Sequence, residues 1–122
     1  MAGTPRTILI IDDEPAVLRL LTSMLTSRSV SLLSASRPSE ALRLYGAQTV
    51  DLLIADINMP EMDGIALTAR VLDQQPETAV LLISGAYEEM PDAVTSPRVR
   101  FLKKPFFPSE LLARMRELLP DL

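Results

Sequence analysis

The stretch Ile8-Leu9-Ile10-Ile11-Asp12-Asp13-Glu14-Pro15 decides the fold. Four apolar residues, mostly β-branched, end abruptly in three acids and a proline. A short, continuous apolar run predicts a strand buried on both faces. Pro15 predicts a helix start, where its missing N–H does no harm. The pattern recurs: Leu52-Leu53-Ile54-Ala55 ends in Asp56, Val80-Leu81-Leu82-Ile83 in Ser84-Gly85, and Val99-Arg100-Phe101-Leu102 in Lys103-Lys104-Pro105. Polar chemistry at the ends of successive buried strands predicts one crevice at one edge of a parallel sheet.

The rest of the chain alternates in step. Met1 to Arg6 reads as a short polar tail and Thr7 to Asp12 as the first strand. A helix follows from Pro15 to about Ser27, with Val17, Leu18, Leu20, Leu21, Met24 and Leu25 at helical spacing. Val30 to Ala35 is a second strand. Ser36 to Tyr45 is a helix with Ala41, Leu42 and Tyr45 on its apolar side and Gly46 as its stop. Val50 to Ala55 is the third strand, Asn58 to Gly64 a loop, and Ile65 to Asp73 a helix. Val80 to Ile83 is the fourth strand, Glu88 to Thr95 a short helix, and Val99 to Lys103 the fifth strand. Pro108 to Leu119 closes the chain as a helix with Leu111, Leu112, Met115, Leu118 and Leu119 inward. Five βα units in succession predict a parallel sheet with helices on both faces. The 122 residues read as one domain, with its core at about 6–119.

Composition excludes several function classes. The net charge of −4 argues against direct DNA binding, since phosphate neutralisation needs clustered Lys and Arg. The chain has no cysteine, so thiolate and disulfide chemistry are absent. It has no histidine either, so a metal site must use oxygen ligands, which suit Mg²⁺, Mn²⁺ or Ca²⁺ rather than zinc. No apolar stretch is long enough to span a bilayer and no signal-peptide pattern opens the chain. The expected location is the cytoplasm.

Asp12, Asp13 and Asp56 carry the chemistry. Three carboxylates at adjacent strand ends repel one another unless a cation sits among them. Mg²⁺ takes one or two carboxylates and keeps positions open for phosphate oxygens. Lys104 supplies a positive charge opposite the acids, and Ser84 a hydroxyl that can donate to a phosphoryl oxygen. A carboxylate can attack phosphorus and form an aspartyl phosphate. Each feature alone has a plainer meaning: Asp12 and Asp13 as helix-capping acids, Asp56 as an Asx-turn residue, Ser84 before Gly85 as a turn. Glu14 reads as a solvated first-turn acid, Lys103 as a solvated lysine, Phe101 as half-buried packing and Asp63 as the cap of the third helix.

In order, these motifs resemble the response-regulator receiver domain of two-component signalling. They are Asp12-Asp13, Asp56 with Asn58-Met59-Pro60 and Asp63-Gly64, Ser84-Gly85, and Lys104-Pro105-Phe106. The resemblance covers about Arg6 to Leu119. It implies a flavodoxin-like (βα)5 fold with strand order 2-1-3-4-5. It also implies that Asp56 is the phosphoacceptor, and that Asp13, Asp56 and the Asn58 backbone carbonyl ligate Mg²⁺. Asp12 would hold a metal-bound water. Lys104 would pair with Asp56 and then with the phosphoryl group, across a peptide to Pro105 that is often cis. Ser84 and Phe101 would be the switch pair. The implied function is a phosphoacceptor switch rather than an enzyme, either a single-domain response regulator or the receiver of a hybrid sensor kinase. Its partners would be a histidine kinase or histidine phosphotransfer protein and a downstream protein target, and the domain itself a monomer or weak dimer.

Three features depart from that pattern. Phe101 lacks the tyrosine hydroxyl of many relatives, Pro91 and Pro97 put a regular helix before the fifth strand in doubt, and Phe107 stands where a capping Ser or Asp suits the last helix better. Two competitors remain. A phosphate-ester hydrolase with an aspartate nucleophile would need an Asp-x-Asp strand end and a cap domain, neither of which fits here. A pseudo-receiver would bind partners without Mg²⁺ or phosphorylation.

Overall fold

A computed structural model describes residues 5–26, 29–92 and 96–121. Five parallel strands form one sheet: β1 (Arg6–Ile11), β2 (Val30–Ala35), β3 (Leu52–Asp56), β4 (Ala79–Ser84) and β5 (Val99–Lys103), in the order β2-β1-β3-β4-β5. Four helices accompany them among the described residues: α1 (Pro15–Leu25), α2 (Pro38–Ala47), α3 (Gly64–Gln74) and α4 (Pro108–Leu118). The expected flavodoxin-like order is the observed one.

Strand periodicity divides the core in two. Successive strand side chains point to opposite faces. Ile8, Ile10, Leu52, Ile54, Leu81 and Ile83 therefore share one face, closed by Leu21 and Leu25 of α1 and Leu111 and Met115 of α4. Leu9, Ile11, Leu53, Ala55, Val80 and Leu82 share the other, closed by Ala41 and Tyr45 of α2 and Leu67 and Val71 of α3. Burial on both faces explains why β1, β3 and β4 read as unbroken apolar runs rather than alternating ones.

Several sequence expectations are corrected. Glu88 to Asp92 is not helical, and Ala93 to Thr95 lie outside the described residues, as does Ser27. Among the described residues no helix joins β4 to β5. Gly46 does not stop α2, which continues to Ala47. A helix tolerates a glycine at a cost of about 1 kcal/mol. The stop comes from Gln48, which turns extended, and from the Gln75 amide, which donates to the carbonyls of Tyr45 and Gln48. The same helix starts at Pro38 rather than Ser36, because a residue before proline disfavours helical geometry and Arg37 is extended. Arg6 belongs to β1, not to a tail, and pairs with Asp51 at 3.3 Å and Asp121 at 2.8 Å. Leu20 faces solvent, 50% exposed, because α1 turns Leu21 and Leu25 inward instead. The third strand is shifted to begin at Leu52 and end at Asp56. Val50 gives its N–H to the Gln75 side chain instead of to a neighbouring strand.

The strand order positions the site. The chain leaves β1 toward β2 on one side, then crosses to β3 on the other. The carboxyl ends of β1 and β3 thus flank the topological switch point, where α/β sheets leave a crevice.

Candidate functional site

Asp12 and Asp13 follow β1 and Asp56 ends β3, and the two strands are neighbours. Adjacent parallel strands lie about 4.8 Å apart. One carboxylate oxygen from each of the three aspartates lies within 4.8 Å of the others. Asp12 is 1% exposed and Asp56 5%, while Asp13 stands at the surface. Local turns hold the two buried acids. Asp12 Oδ1 accepts the Glu14 N–H at 2.9 Å, and Asp56 Oδ1 accepts the Asn58 N–H at 3.3 Å. Each is the Asx pattern, a carboxylate bonded two residues onward.

Lys104 follows β5, two strands from β3, a span of about 10 Å that only a long side chain covers. Its backbone N–H is held by the Ser84 carbonyl at 2.8 Å, and its peptide to Pro105 is cis. Its Nζ lies 3.0 Å from Asp12 Oδ2, 3.3 Å from Glu14 Oε1 and 3.5 Å from Asp56 Oδ2. The ammonium thus spans both buried aspartates and sits nearest Asp12. Glu14, expected to be merely solvated, is its third partner.

Burial raises the proton affinity of the two buried aspartates. The Asp12 carboxyl is pushed up by burial, against the Glu14 N–H and Lys104. Asp56 is also raised by burial, with Lys104 opposing and Asp12 adding to the rise. For Lys104, burial pulls downward, but the hydrogen bond and charge of Asp12, with Asp56 and Glu14, leave it raised. Three acids contact the one lysine and Asp13 stands beside them, an excess of negative charge that a divalent cation would largely offset. The donors are all oxygen, which fits a hard cation of the Mg²⁺ type. Asp13, Glu14, Asp56, Asn58 and Lys104 line an open cleft of about 310 Å³.

Ser84 ends β4, register-paired with Lys103. Its hydroxyl donates to Asn58 Oδ1 at 3.3 Å and accepts the N–H groups of Ala86 at 3.0 Å and Tyr87 at 3.1 Å. Asn58 therefore touches both Asp56, through its amide, and Ser84, through its side chain. Phe101 pairs in register with Leu82 and packs, partly buried, against the core on the α2–α3 side. Asp63 caps α3 as expected, its Oδ1 accepting the Ala66 N–H at 2.8 Å. Phe107 offers α4 no side-chain cap; Glu110 reaches back to the Phe107 N–H at 2.8 Å instead.

Residues 8–116 match the response regulator receiver domain. The chain belongs to that family. The transcriptional regulatory protein GlrR of Escherichia coli K12 is 38% identical over 108 residues, 86% of this chain and 24% of GlrR. The chain thus spans about a quarter of that relative's length. The signal receiver domain of an HD domain-containing protein from Pseudomonas fluorescens Pf-5 superposes with TM-score 0.87 at 30% identity. It covers 99% of this chain and 91% of its own. The receiver domain of the hybrid histidine kinase CckA superposes with TM-score 0.78 at 33% identity, covering 92% and 98%.

In this receiver domain, three contributions escape a reading of the sequence. The Glu14–Lys104 pair spans 90 residues, with no local signal. The Asn58 side-chain bond to Ser84 likewise needs the β3 and β4 ends to be side by side. Gly64 has a signal that could have been used: it directly follows the helix-capping Asp63. A Cβ there would stand 2.4 Å from the Asp56 carbonyl oxygen and 2.9 Å from Ile57 Cα. The α3 start packs straight onto the backbone that carries Asp56, and Gly64 donates its N–H to the Ile57 carbonyl at 2.8 Å.

Proposed function

We propose that this receiver domain accepts a phosphoryl group on Asp56 from the phosphohistidine of a partner, a histidine kinase or histidine phosphotransfer protein, in a Mg²⁺-dependent reaction. The observation that carries the reading is Lys104 Nζ, held between Asp12 and Asp56 beside a cluster of three aspartates. A carboxylate oxygen of Asp56 forms the new bond to phosphorus as the phosphorus–nitrogen bond breaks. The electron pair leaves with the imidazole, which takes a proton from solvent. These 122 residues hold no histidine, so the phosphohistidine lies outside them. Asp13, Asp56 and the Asn58 carbonyl would hold Mg²⁺, with Mn²⁺ an acceptable substitute, and Asp12 would hold a metal-bound water. The cation would supply charge neutralisation at the phosphoryl oxygens. Lys104 orients Asp56 and then meets the phosphoryl group, and Ser84 donates its hydroxyl to it.

The role is that of a switch and not of an enzyme with turnover. The phosphoryl group shifts an equilibrium of Ser84, Phe101 and the neighbouring loops, and with it the binding of a downstream protein. The domain acts as a stand-alone regulator or as the receiver of a hybrid sensor kinase, as a monomer or weak dimer. The first test is intact mass after incubation with Mg²⁺ and acetyl phosphate. The expected result is one phosphoryl adduct on wild type and none on Asp56→Asn. Equal labelling of both would remove Asp56 from its role.

A further inference from the structure

Lys103 stands next to the lysine of the site and reads from sequence as a solvated lysine; it is half-exposed, yet its ammonium is also engaged by the protein. Its Nζ donates to the carbonyl oxygens of Gly85 at 3.2 Å and Tyr87 at 3.5 Å, and lies 3.3 Å from Glu88 Oε1. All three acceptors belong to the loop that follows Ser84. The same loop is held from its other side, where the Ser84 hydroxyl accepts the N–H groups of Ala86 and Tyr87. Gly85 to Glu88 is therefore pinned through its amides by Ser84 and through its carbonyls by Lys103.

From this arrangement we infer that Lys103 is a positioning residue that latches the Ser84 loop in its unphosphorylated setting. The inference rests on the receiver reading and adds a regulatory element to it. A hydroxyl has one proton, and that of Ser84 is given to Asn58 Oδ1. To donate to a phosphoryl oxygen on Asp56, Ser84 must release Asn58 and turn. Its two bonds to Ala86 and Tyr87 then carry the loop with it. Lys103 is anchored at the end of β5, opposite Ser84 in the register, so the loop cannot follow without stretching or breaking the Lys103 contacts. Contacts made in one state and lost in the other bias the equilibrium by their difference. Lys103 thus opposes the phosphorylated arrangement.

The test uses the whole chain and three proteins: wild type, Lys103→Met, which keeps the stem and loses the donors, and Lys103→Arg, which keeps charge and donors. Lys103 is half-exposed, so neither change opens the core. Amide hydrogen exchange at Ala86 and Tyr87 reads the latch directly. Affinity for beryllofluoride with Mg²⁺, a mimic of the aspartyl phosphoryl group, reads the bias. In Lys103→Met both exchange at these amides and beryllofluoride affinity should rise, each by about fivefold, the worth of one net hydrogen bond. Lys103→Arg should stay closer to wild type. Unchanged exchange in Lys103→Met would overturn the latch. Faster exchange with unchanged or weaker beryllofluoride binding would overturn the bias. Failure of wild type itself to bind beryllofluoride would overturn the receiver reading, and the assigned role with it.

Discussion

Gly64 shows how little tolerance surrounds the site. Its missing Cβ leaves the space into which the Asp56 carbonyl fits. Gly64→Ala forces either α3 or the Asp56 backbone to move, and overpacking of this kind costs about 1–3 kcal/mol. Urea denaturation should show that loss, with reduced labelling of Asp56 alongside; an unchanged midpoint would mean that α3 adjusts freely. Glu61 is a second tight point. Its φ of 71° lies in the left-handed region, and its carboxylate accepts the Ser39 N–H at 3.3 Å, joining the β3–α3 loop to the start of α2. The buried carboxylates set a pH dependence. Asp12 and Asp56 are raised by burial, so the folded state binds their protons more tightly than the unfolded chain does. Their ionisation therefore lowers stability as pH rises from the ordinary aspartate value, about 3.9, through the raised folded values. With divalent cations chelated, wild type should gain stability relative to Asp12→Asn/Asp56→Asn as pH falls through that window. Melting curves at stepped pH read this, and parallel curves for the two proteins would show that the two carboxyls are not raised.

Among the elements, α4 starts poorly. Phe107 is the residue before its first turn, 73% exposed and without a side-chain cap, and only Glu110 compensates. An N-capping aspartate is worth about 1 kcal/mol over a residue that cannot cap, and it also meets the helix dipole favourably. Phe107→Asp should raise the denaturation midpoint, since no buried surface is lost. A lower midpoint would show that the aromatic ring stabilises the fold by contacts of its own. At the far edge of the sheet, Tyr45 ties three elements together. Its buried hydroxyl lies 2.9 Å from both the Val71 carbonyl and Thr78 Oγ1, and Thr78 in turn donates to the Val50 carbonyl. These bonds fix α2 against α3 and the start of β3, so the opposite, carboxyl edge inherits a rigid base. The segment after β4 is different in kind. Gly85 to Glu89 is exposed, without helical structure, and held by Ser84 and Lys103.

For the whole molecule, cation binding at the acid cluster would be coupled to folding. The unfolded chain scatters Asp12, Asp13 and Asp56 over 45 positions, so a cation that needs all three binds the folded state alone. Ligand at a hundred times its dissociation constant then adds about 2.7 kcal/mol of stability. Mg²⁺ should raise the melting temperature of wild type and leave Asp13→Asn nearly unmoved. Equal shifts in both proteins would remove Asp13 from the ligand set. The two-faced core holds β1 and β3 side by side, and their carboxyl ends bring Asp12, Asp13 and Asp56 together.

The sequence by itself determined the sheet, the alternation and the identity of the acids. Buried strands must be apolar on both faces, and proline, glycine and charge mark where each one stops. Ile8 to Ile11 and Leu52 to Asp56 were legible for that reason, and so were Asp12, Asp13, Asp56 and Lys104 at their ends. What stayed illegible was set by tertiary contact. Gly46 sits inside α2 because Gln75, the residue after α3, meets the end of that helix. Leu20 is exposed because the neighbours of α1 select Leu21 and Leu25. Glu14 and Lys103 look like solvated charges until β4 and β5 bring the Ser84 loop and Lys104 to them. Only the folded sheet determined these partners, because each contact joins residues that share no local period and meet only after distant strands have paired.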